Sequence, residues 1–286
     1  MNDVVDHGAK DAGITISSLC NRTGMSRQNY YAARRHRQRR QIDEDLVVEL
    51  VKAERRIQPR IGGRKLLYLM KAEMAEAGVS IGRDRFFELL KLSDLLVVRK
   101  RIWPKTTNSR HSLPVFRNLV KDLELSGPNQ AWASDLTYIR TEEGFMYASL
   151  ITDMYSRKIV GYYIGDSLES IGCQKALEMA MELLPDDRYP IHHSDRGCQY
   201  CCHEYVELLK SRGLSISMTE EMHCYENAMA ERVNGILKQE YELDSTFRRK
   251  ELAKKAFIEA VELYNNRRPH LSLDYRTPEE VHRRAA

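Results

Sequence analysis

The amino-acid sequence predicts an α/β protein in which a mixed sheet with flanking helices follows a helical N-terminal region. Before residue 130 the apolar residues recur at helical spacing, as in 42–58 and 65–77. After residue 130 three β-type runs are separated by short turns, and helices then alternate with strands. The predicted elements of this second part are strands near 131–139, 145–153 and 157–164, helix 169–183, strand 190–194, helix 199–212, strand 214–218 and helix 226–238.

The first predicted element is a pair of short helices around a glycine turn. Residues 16–21 and 26–33 flank Gly24, and Ser26 is a suitable N-cap for the second helix. This arrangement is typical of a helix-turn-helix, whose second helix enters a DNA groove. A plain helical hairpin is the alternative. The predicted DNA-binding side chains on the second helix are Arg27, Gln28 and Asn29.

A second helical unit follows, with helices predicted at 42–58, 65–77 and 83–92 and a stop at Gly78. Its leucine and phenylalanine stripes are predicted to form a core. Its cations are candidates for contacts with the DNA backbone. The predicted DNA-binding residues here are Arg64, Lys65, Arg83 and Arg85, with Arg60 and Lys91 as further candidates.

Charge is distributed unevenly along the chain, although the net charge is only +4. Residues 1–120 contain 24 Lys and Arg against 13 Asp and Glu, whereas residues 121–286 contain 21 against 28. Five arginines lie within residues 34–40 and repel one another without an anionic partner. A basic N-terminal part suits phosphate binding, and an acidic C-terminal part suits a metal-dependent site. Ordinary solvated surface is the alternative for any single charge run.

Composition shifts predict four segments. They are a helix-turn-helix-like segment 1–40, a helical DNA-binding domain 41–98, a Pro-, Thr- and Ser-containing linker 99–128, and a core 129–286 with a C-terminal helix and tail. No run of 18 apolar residues occurs, and the acidic N-terminus lacks the features of a signal peptide. We therefore expect a cytoplasmic protein with no membrane partner.

Three carboxylates lie in contexts that suit a catalytic metal site. Asp135 is inside a β-type run, Asp195 ends the short apolar stretch 191–195, and Glu231 lies in a predicted helix. Carboxylates from two strands and a helix form an oxygen-rich cage for hard cations such as Mg²⁺ or Mn²⁺. Two such ions can serve phosphodiester chemistry. Asp135, Asp195 and Glu231 are therefore the predicted catalytic and metal-binding residues.

The motifs around these acids resemble those of a known family. They are His193–Tyr200, Tyr225–Glu231 and Leu237-Lys238, the segment Tyr264–His270 with Leu273, Tyr275, Thr277 and Pro278, and upstream Gly62–Leu67 and Ile81–Phe86. Over roughly residues 40–282 the chain resembles the orfB-type DDE transposases of the insertion-sequence-three family, which have a retroviral-integrase-like catalytic core. Asp195 and Glu231 are separated by the 35 residues 196–230.

The resemblance implies a ribonuclease-H-like mixed sheet and metal-dependent cleavage and strand transfer at insertion-sequence ends, leading to DNA integration. It implies double-stranded DNA partners, namely the terminal inverted repeats and target DNA, in the bacterial cytoplasm or nucleoid. Because two DNA ends must be held, we expect at least a homodimer. An upstream reading frame is often fused to such chains by frameshifting.

Three polar residues share the predicted helix face of Glu231, namely Asn227, Asn234 and Lys238. We predict that they meet DNA. For Lys238 the alternative is a charge-balancing ion pair with a nearby carboxylate. Glu226, at the expected start of the helix, is a rival for Glu231.

Other interpretations of single residues remain open. For Asp153, a structural role at a turn is favoured over a role in the metal site. Cys198, Cys201 and Cys202 lie near His192, His193 and His203, but the second Cys-x-x-Cys of a zinc site is missing, which favours reduced thiols.

Two other functions compete with a DDE transposase. His193–Arg196 fits the His-x-x-Arg of tyrosine recombinases, with Tyr225 as nucleophile, although such enzymes are mainly helical. A domesticated, non-catalytic DNA-binding protein is the alternative from outside the enzymes, but it has no physical need for all three carboxylates.

Overall fold

The computed structural model describes residues 15–97, 113–220 and 227–284. The chain divides into two compact units. We call residues 1–53 with 70–96 the helical unit, and residues 54–69 with 97–286 the core unit. Most of the predicted linker, residues 99–112, lies outside the described residues. The core unit is therefore built from two stretches of chain that the sequence separates.

The N-terminal helices have clear local signals at their ends. The elements are α1 (Ile16–Thr23), α2 (Arg27–Ile57), α3 (Gly63–Leu69), α4 (Lys71–Glu76) and α5 (Arg83–Leu92). Thr15 caps α1, which ends at Gly24 with φ 66°. The Ser26 hydroxyl accepts a hydrogen bond from Asn29 N at 3.1 Å, which confirms the predicted cap. Gly78, with φ 67°, follows α4 as the predicted stop.

Helix α2 differs from the sequence prediction because it is one continuous helix of 31 residues. We expected a short helix at 26–33 and another at 42–58. No glycine or proline occurs between Arg27 and Ile57, so nothing in the backbone stops the helix. Arg40, from the arginine run, pairs with Glu44 one turn later at 2.9 Å. The proposed boundary between residues 40 and 41 thus falls inside a helix.

The helical unit has its own small core. Val47 and Val51 from α2 are fully buried, as is Phe86 from α5. Beside them Glu44 accepts hydrogen bonds from both Nε and Nη2 of Arg85, each at 2.8 Å. This bidentate pair holds the acidic part of α2 against α5. The Arg85 guanidinium is therefore largely occupied by its ion pair within this unit.

The core unit contains a mixed sheet. Its strands are β1 (Ala131–Thr141), β2 (Gly144–Asp153), β3 (Ile159–Gly165), β4 (Ile191–Ser194), β5 (Ser215–Met218) and β6 (Thr246–Phe247). The main sheet has the order β3-β2-β1-β4-β5, with β6 pairing the end of β1. β1, β2 and β3 are antiparallel, whereas β4 and β5 run parallel to β1. The predicted fold class, a ribonuclease-H-like mixed sheet after a helical region, is confirmed.

Helices lie on both faces of this sheet. They are α6 (Ser170–Glu182), α7 (Cys198–Cys201), α8 (His203–Ser211), α9 (Ala228–Glu240), α10 (Lys250–Asn266) and α11 (Pro278–Arg284), with a 3₁₀ turn at Leu271–Leu273. Trp132 and Ile151 pack with α6, α7 and α8 on one face. Ile139 and Leu150 pack with α9 and α10 on the other. The predicted helix 199–212 is interrupted at Cys202, which has extended backbone angles.

Asp153 at the end of β2 and Gly161 in β3 hold these strands in place. Asp153 is fully buried and accepts hydrogen bonds from Asn129 N and Ser156 N, both at 2.7 Å, so it is a structural acid as predicted. Gly161 of β3 lies under α6, and a methyl group there would come within 2.8 Å of Ala180 Cβ.

Among the described residues no helix is long and apolar enough to cross a membrane.

Candidate active site

Asp135 lies in the middle of β1 and faces the side of the sheet covered by α9. Side chains alternate along a strand, so Asp135 points to the same face as Ile139, which belongs to the core formed with α9 and α10. Its Oδ1 accepts a hydrogen bond from Leu136 N at 2.9 Å. Its Oδ2 accepts one from Asn234 Nδ2 of α9 at 2.7 Å. The carboxylate is therefore held by one strand and one helix.

Asp195 is brought next to Asp135 by the parallel pairing of β1 and β4. In that ladder Ala133 is opposite His193, so the chain leaving β4 runs beside Asp135. Asp195 Oδ1 accepts a hydrogen bond from Gly197 N at 2.9 Å, which orients the carboxylate at the start of the turn. The parallel pairing thus places Asp195, directly after the end of β4, beside Asp135 in the middle of β1.

Glu231 lies in the first turn of α9. Its side chain is exposed, while Val233 and Leu237 of the same helix are buried in the core. Within the described part of the chain, the Glu231 carboxylate makes no hydrogen bond or ion pair. Its position is therefore determined by how α9 is held.

The three carboxylates influence one another electrostatically. Burial raises the pKa of Asp135 to about 7, against the Asn234 hydrogen bond and with added repulsion from Asp195 and Glu231. Burial and the charge of Asp195 also raise the pKa of Glu231. Like charges held together disfavour ionisation unless a cation balances them. The site is a concentration of negative charge that a cation would stabilise.

The carboxylates are not closed into a cage. Over residues 15–97, 113–220 and 227–284, no group of three or more His, Cys, Asp and Glu side chains forms a ready metal site. Glu231 is the exposed member of the three carboxylates. The predicted cage therefore requires the Glu231 side chain to turn inward, toward a cation.

The surroundings of Asp135 fit a hard divalent cation. The available donors are oxygens, the type that Mg²⁺ and Mn²⁺ prefer. Two amide oxygens of α9, Asn227 Oδ1 and Asn234 Oδ1, are buried without a hydrogen-bond partner among the described residues. Both amides are next to β1, since Asn227 Nδ2 bonds Ser134 O at 3.2 Å and Asn234 Nδ2 bonds Asp135. Unpaired buried oxygens of this kind can accept hydrogen bonds from metal-bound water.

The structure corrects the roles predicted for these two asparagines. Asn227 and Asn234 were predicted to contact DNA, but they are only 4% and 6% exposed. Their amides instead attach α9 to β1 at Ser134 and Asp135. Helical spacing groups them with Glu231, but it could not show that the two amides are buried against the sheet while Glu231 is exposed.

Lys238 lies on α9 above an aromatic ring that the sequence analysis missed. Its ammonium nitrogen is 4.4 Å from the ring centroid of Tyr138, a residue of β1. Burial lowers the pKa of Lys238, and the negative charge of Asp135 opposes that shift. A cation–π contact restrains the lysine while leaving its hydrogen-bond donors for a ligand. The predicted charge-balancing ion pair is not the contact seen in the structure.

The predicted DNA contacts in the N-terminal part have different surroundings. Arg27, Gln28 and Asn29 are exposed at the start of α2, and Arg64 and Arg83 are also exposed. Arg85 is bound to Glu44 and Glu88. Lys65 is 7% exposed and its ammonium lies 2.7 Å from Glu240 Oε1, so the prediction that it binds DNA is wrong. Sequence pattern could not show this because its partner lies 175 residues away.

His192 and His193, which lie just before Asp195 in the sequence, are buried and contact neighbouring side chains. His192 Nε2 lies 2.6 Å from Ser134 Oγ and 2.9 Å from Tyr205 OH, and burial lowers its pKa to about 3. His193 is fully buried and contacts Ser217 Oγ at 2.8 Å. Cys198, Cys201 and Cys202 are free thiols. Tyr225, Glu226 and Cys224 lie outside the described residues.

The mixed sheet and the paired aspartates place this protein in the class of integrase cores with a ribonuclease-H-like fold. In agreement, family models named integrase core domain match residues 126–224 and 212–278. The chain is 37% identical to an uncharacterized 31 kDa protein of insertion element IS600 from Shigella sonnei, over 94% of this chain and all of that protein. It is 30% identical to transposase InsF of insertion sequence IS3A from Escherichia coli K12, over 94% of each chain.

The chain therefore belongs to the family of IS3 transposases. A further relative, the transposase of insertion sequence element IS629 from Shigella sonnei, is 28% identical over 93% of this chain and 90% of that protein. Among solved structures, the HTLV-2 integrase catalytic core domain in complex with magnesium is 20% identical, with a TM-score of 0.44. The matched region covers 58% of this chain and 99% of the HTLV-2 chain.

Proposed function

We propose that this protein is a DDE-type DNA transposase that cleaves DNA at insertion-sequence ends and joins the cut end to another DNA strand. Asp135, Asp195 and Glu231 are the proposed catalytic residues. One observation carries the proposal: Asp135 in β1 and Asp195, directly after the parallel strand β4, lie close together beneath the helix of Glu231, in a chain that belongs to the IS3 transposases. A non-catalytic DNA-binding protein would gain nothing from such mutual repulsion.

The same three side chains would hold two Mg²⁺ or Mn²⁺ ions. When bound, these ions activate the attacking oxygen and stabilise the leaving oxygen in phosphodiester chemistry. No covalent protein–DNA intermediate is required. The protein's own contribution is to hold the carboxylates in place, with Asn234 and Leu136 N fixing the two oxygens of Asp135.

Lys238 is proposed to position the DNA end. It sits two turns after Glu231 on α9, over the ring of Tyr138, and the charge of Asp135 reaches it. A cation restrained beside an anionic site attracts phosphate and keeps donors for it. Asn227 and Asn234 are not proposed as DNA contacts, because they are buried against β1.

The proposed substrates are the double-stranded terminal inverted repeats of the element and its target DNA. Arg27, Gln28 and Asn29 at the exposed start of α2 are the proposed sequence-reading side chains, and Arg64 and Arg83 are proposed backbone contacts. Because two DNA ends must be joined in one reaction, we propose that the active form is at least a dimer, in the cytoplasm or nucleoid.

The test uses Glu231→Gln in the full chain, with end-labelled DNA that carries the element's own ends and with Mg²⁺. The substitution keeps the shape of the side chain but removes one charge from the site. We expect cleavage and strand transfer to fall at least 100-fold, while binding to end DNA stays within about twofold. Glu259→Gln, at an exposed acid on α10, is the matched control and should cut normally.

Two outcomes would contradict the proposal. Cutting by Glu231→Gln within a few-fold of wild type would remove Glu231 from the catalytic set. Cutting that survives EDTA, or a covalent bond between the protein and the DNA end, would exclude a metal-dependent mechanism of this kind.

A further inference from the structure

A buried ion cluster lies at the far end of the helix that carries Glu231. Glu240, the last residue of α9, accepts hydrogen bonds from Lys65 Nζ at 2.7 and 3.0 Å. It also accepts a bidentate pair from Arg268, with Nε at 2.8 Å and Nη2 at 3.0 Å. Lys65 and Arg268 are 7% and 2% exposed. Three separate parts of the core unit therefore meet at one carboxylate.

Charge balance does not explain the presence of Lys65. Arg268 alone neutralises Glu240 with ideal geometry, and Lys65 adds a second buried cation. Burial and the charge of Arg268 lower the pKa of Lys65 to about 8, against the attraction of Glu240. A buried lysine of this kind costs free energy compared with an apolar side chain. Its benefit must therefore come from the geometry that it imposes.

The residues around Lys65 make further contacts with the same helix end. Arg60 N donates to Glu240 O at 3.0 Å, and Arg60 Nε lies 2.9 Å from Glu242 Oε1. Tyr241 OH donates to Gln58 Oε1 at 3.1 Å. We call residues 54–69 the clamp segment, because its contacts converge on residues 240–242. Ile61 and Leu66 of this segment are fully buried.

The other end of α9 holds Glu231, whose carboxylate has no partner of its own in the described ranges. Glu231 and Glu240 are nine residues apart, about 14 Å along a rigid helix. A small rotation of α9 at its clamped end would therefore move the exposed glutamate relative to Asp135 and Asp195. Metal coordination tolerates displacements of only about 0.5 Å or less.

We infer that Lys65 is a positioning residue for the active site: through Glu240 it fixes the orientation of α9 and thereby the place of Glu231 beside the two aspartates. This inference rests on the proposed function. It assigns Lys65, which precedes the integrase core in the sequence, to the positioning of the active site rather than to DNA binding.

The test compares full-length Lys65→Met, Lys65→Arg and the control Lys254→Met, an exposed lysine on α10. Lys65→Met leaves a neutral Glu240–Arg268 pair, so the protein should remain folded. Calorimetric titration of the DNA-free proteins with Mn²⁺ should show at least fivefold weaker binding for Lys65→Met. Its Mg²⁺ midpoint for cleavage should rise by a similar factor. Lys65→Arg should restore most of the Mn²⁺ affinity and bring the Mg²⁺ midpoint for cleavage close to that of wild type. Lys254→Met should match wild type in both measurements.

The outcomes separate this inference from the proposed function. If the wild type neither binds Mn²⁺ nor cuts, both proposals are overturned. If the wild type behaves as expected but folded Lys65→Met binds and cuts normally, only the positioning role is wrong. If Lys65→Met does not fold, Tyr241→Phe decides, since it removes only the hydrogen bond to Gln58. An unchanged Mn²⁺ affinity in that variant overturns the inference, and a reduction of twofold or more supports it.

Discussion

At the scale of single residues, the raised pKa of Asp135 determines the pH dependence that we expect of the proposed metal site. The pKa of Asp135 is raised to about 7, with burial as the largest cause. A raised pKa means that folded protein without metal binds one more proton than unfolded protein between about pH 4 and 7. Its stability therefore falls as the pH rises through that window. Metal binding needs the ionised carboxylate, so it has the opposite pH dependence.

We predict that Mn²⁺ affinity rises steeply between pH 6 and 8 and levels off above that range. Asn234→Leu removes the hydrogen bond that favours the ionised form, so its transition should move to higher pH, with weaker binding at pH 7 and partial recovery at pH 8.5. Calorimetric titration across this pH range is the measurement. Identical pH profiles for the variant and wild type would show that Asn234 does not influence Asp135.

The contact between Lys238 and Tyr138 gives a second prediction at this scale. Lys238→Ala should keep Mn²⁺ affinity within about twofold and yet lose accurate cleavage at the terminal base pairs. Tyr138→Leu keeps the cation and removes the ring beneath it, so it should show the same defect more weakly. Mapping of cut sites on end-labelled DNA decides the matter, and unchanged positions and rates in both variants would remove Lys238 from the site.

At the scale of elements, the packing of α6 on β3 depends on Gly161. Gly161→Ala should destabilise the protein by about 1–3 kcal/mol, because its methyl group overlaps α6 at Ala176 and Ala180. Gly235→Ala in α9 is the matched comparison. A methyl group there meets nothing within 4 Å, so the helix should gain roughly 0.5–1 kcal/mol. Urea unfolding of both variants tests the pair, and equal effects would contradict this packing.

Most elements of the core could be predicted from the sequence, because apolar alternation along β1 to β3 and turn residues between them are local signals. The continuity of α2 could not. Helices were predicted at 26–33 and 42–58, whereas pairing such as Arg40–Glu44 supports one continuous helix between them. Strand context and motif together pointed to Asp135 and Asp195, and the parallel pairing of β1 and β4 brings these two residues near each other. The burial of Lys65 and Asn234 depends on partners about 100 or more residues away, which no local pattern contains.

At the scale of the whole molecule, binding of element ends should depend on exposed cations at the start of α2. Affinity of the full chain for DNA should fall steeply with salt, because bound phosphates release counterions. Arg27→Ala with Gln28→Ala should reduce the preference for terminal-repeat DNA more than the affinity for unrelated DNA. The full chain is needed, since a fragment of residues 1–100 would strip the clamp segment of its partners. Equal losses on both DNAs would assign these residues to phosphate contact only.

The clamp segment also has a consequence for the timing of synthesis. Lys65 leaves the ribosome 175 residues before Glu240, and Arg268 follows later still. At about 5–20 residues per second, this is an interval of roughly 10–35 s. During that time Lys65, buried beside Glu240 in the finished protein, lacks both of the residues with which it forms the ion cluster. The ion cluster of Lys65, Glu240 and Arg268 can therefore assemble only late in synthesis.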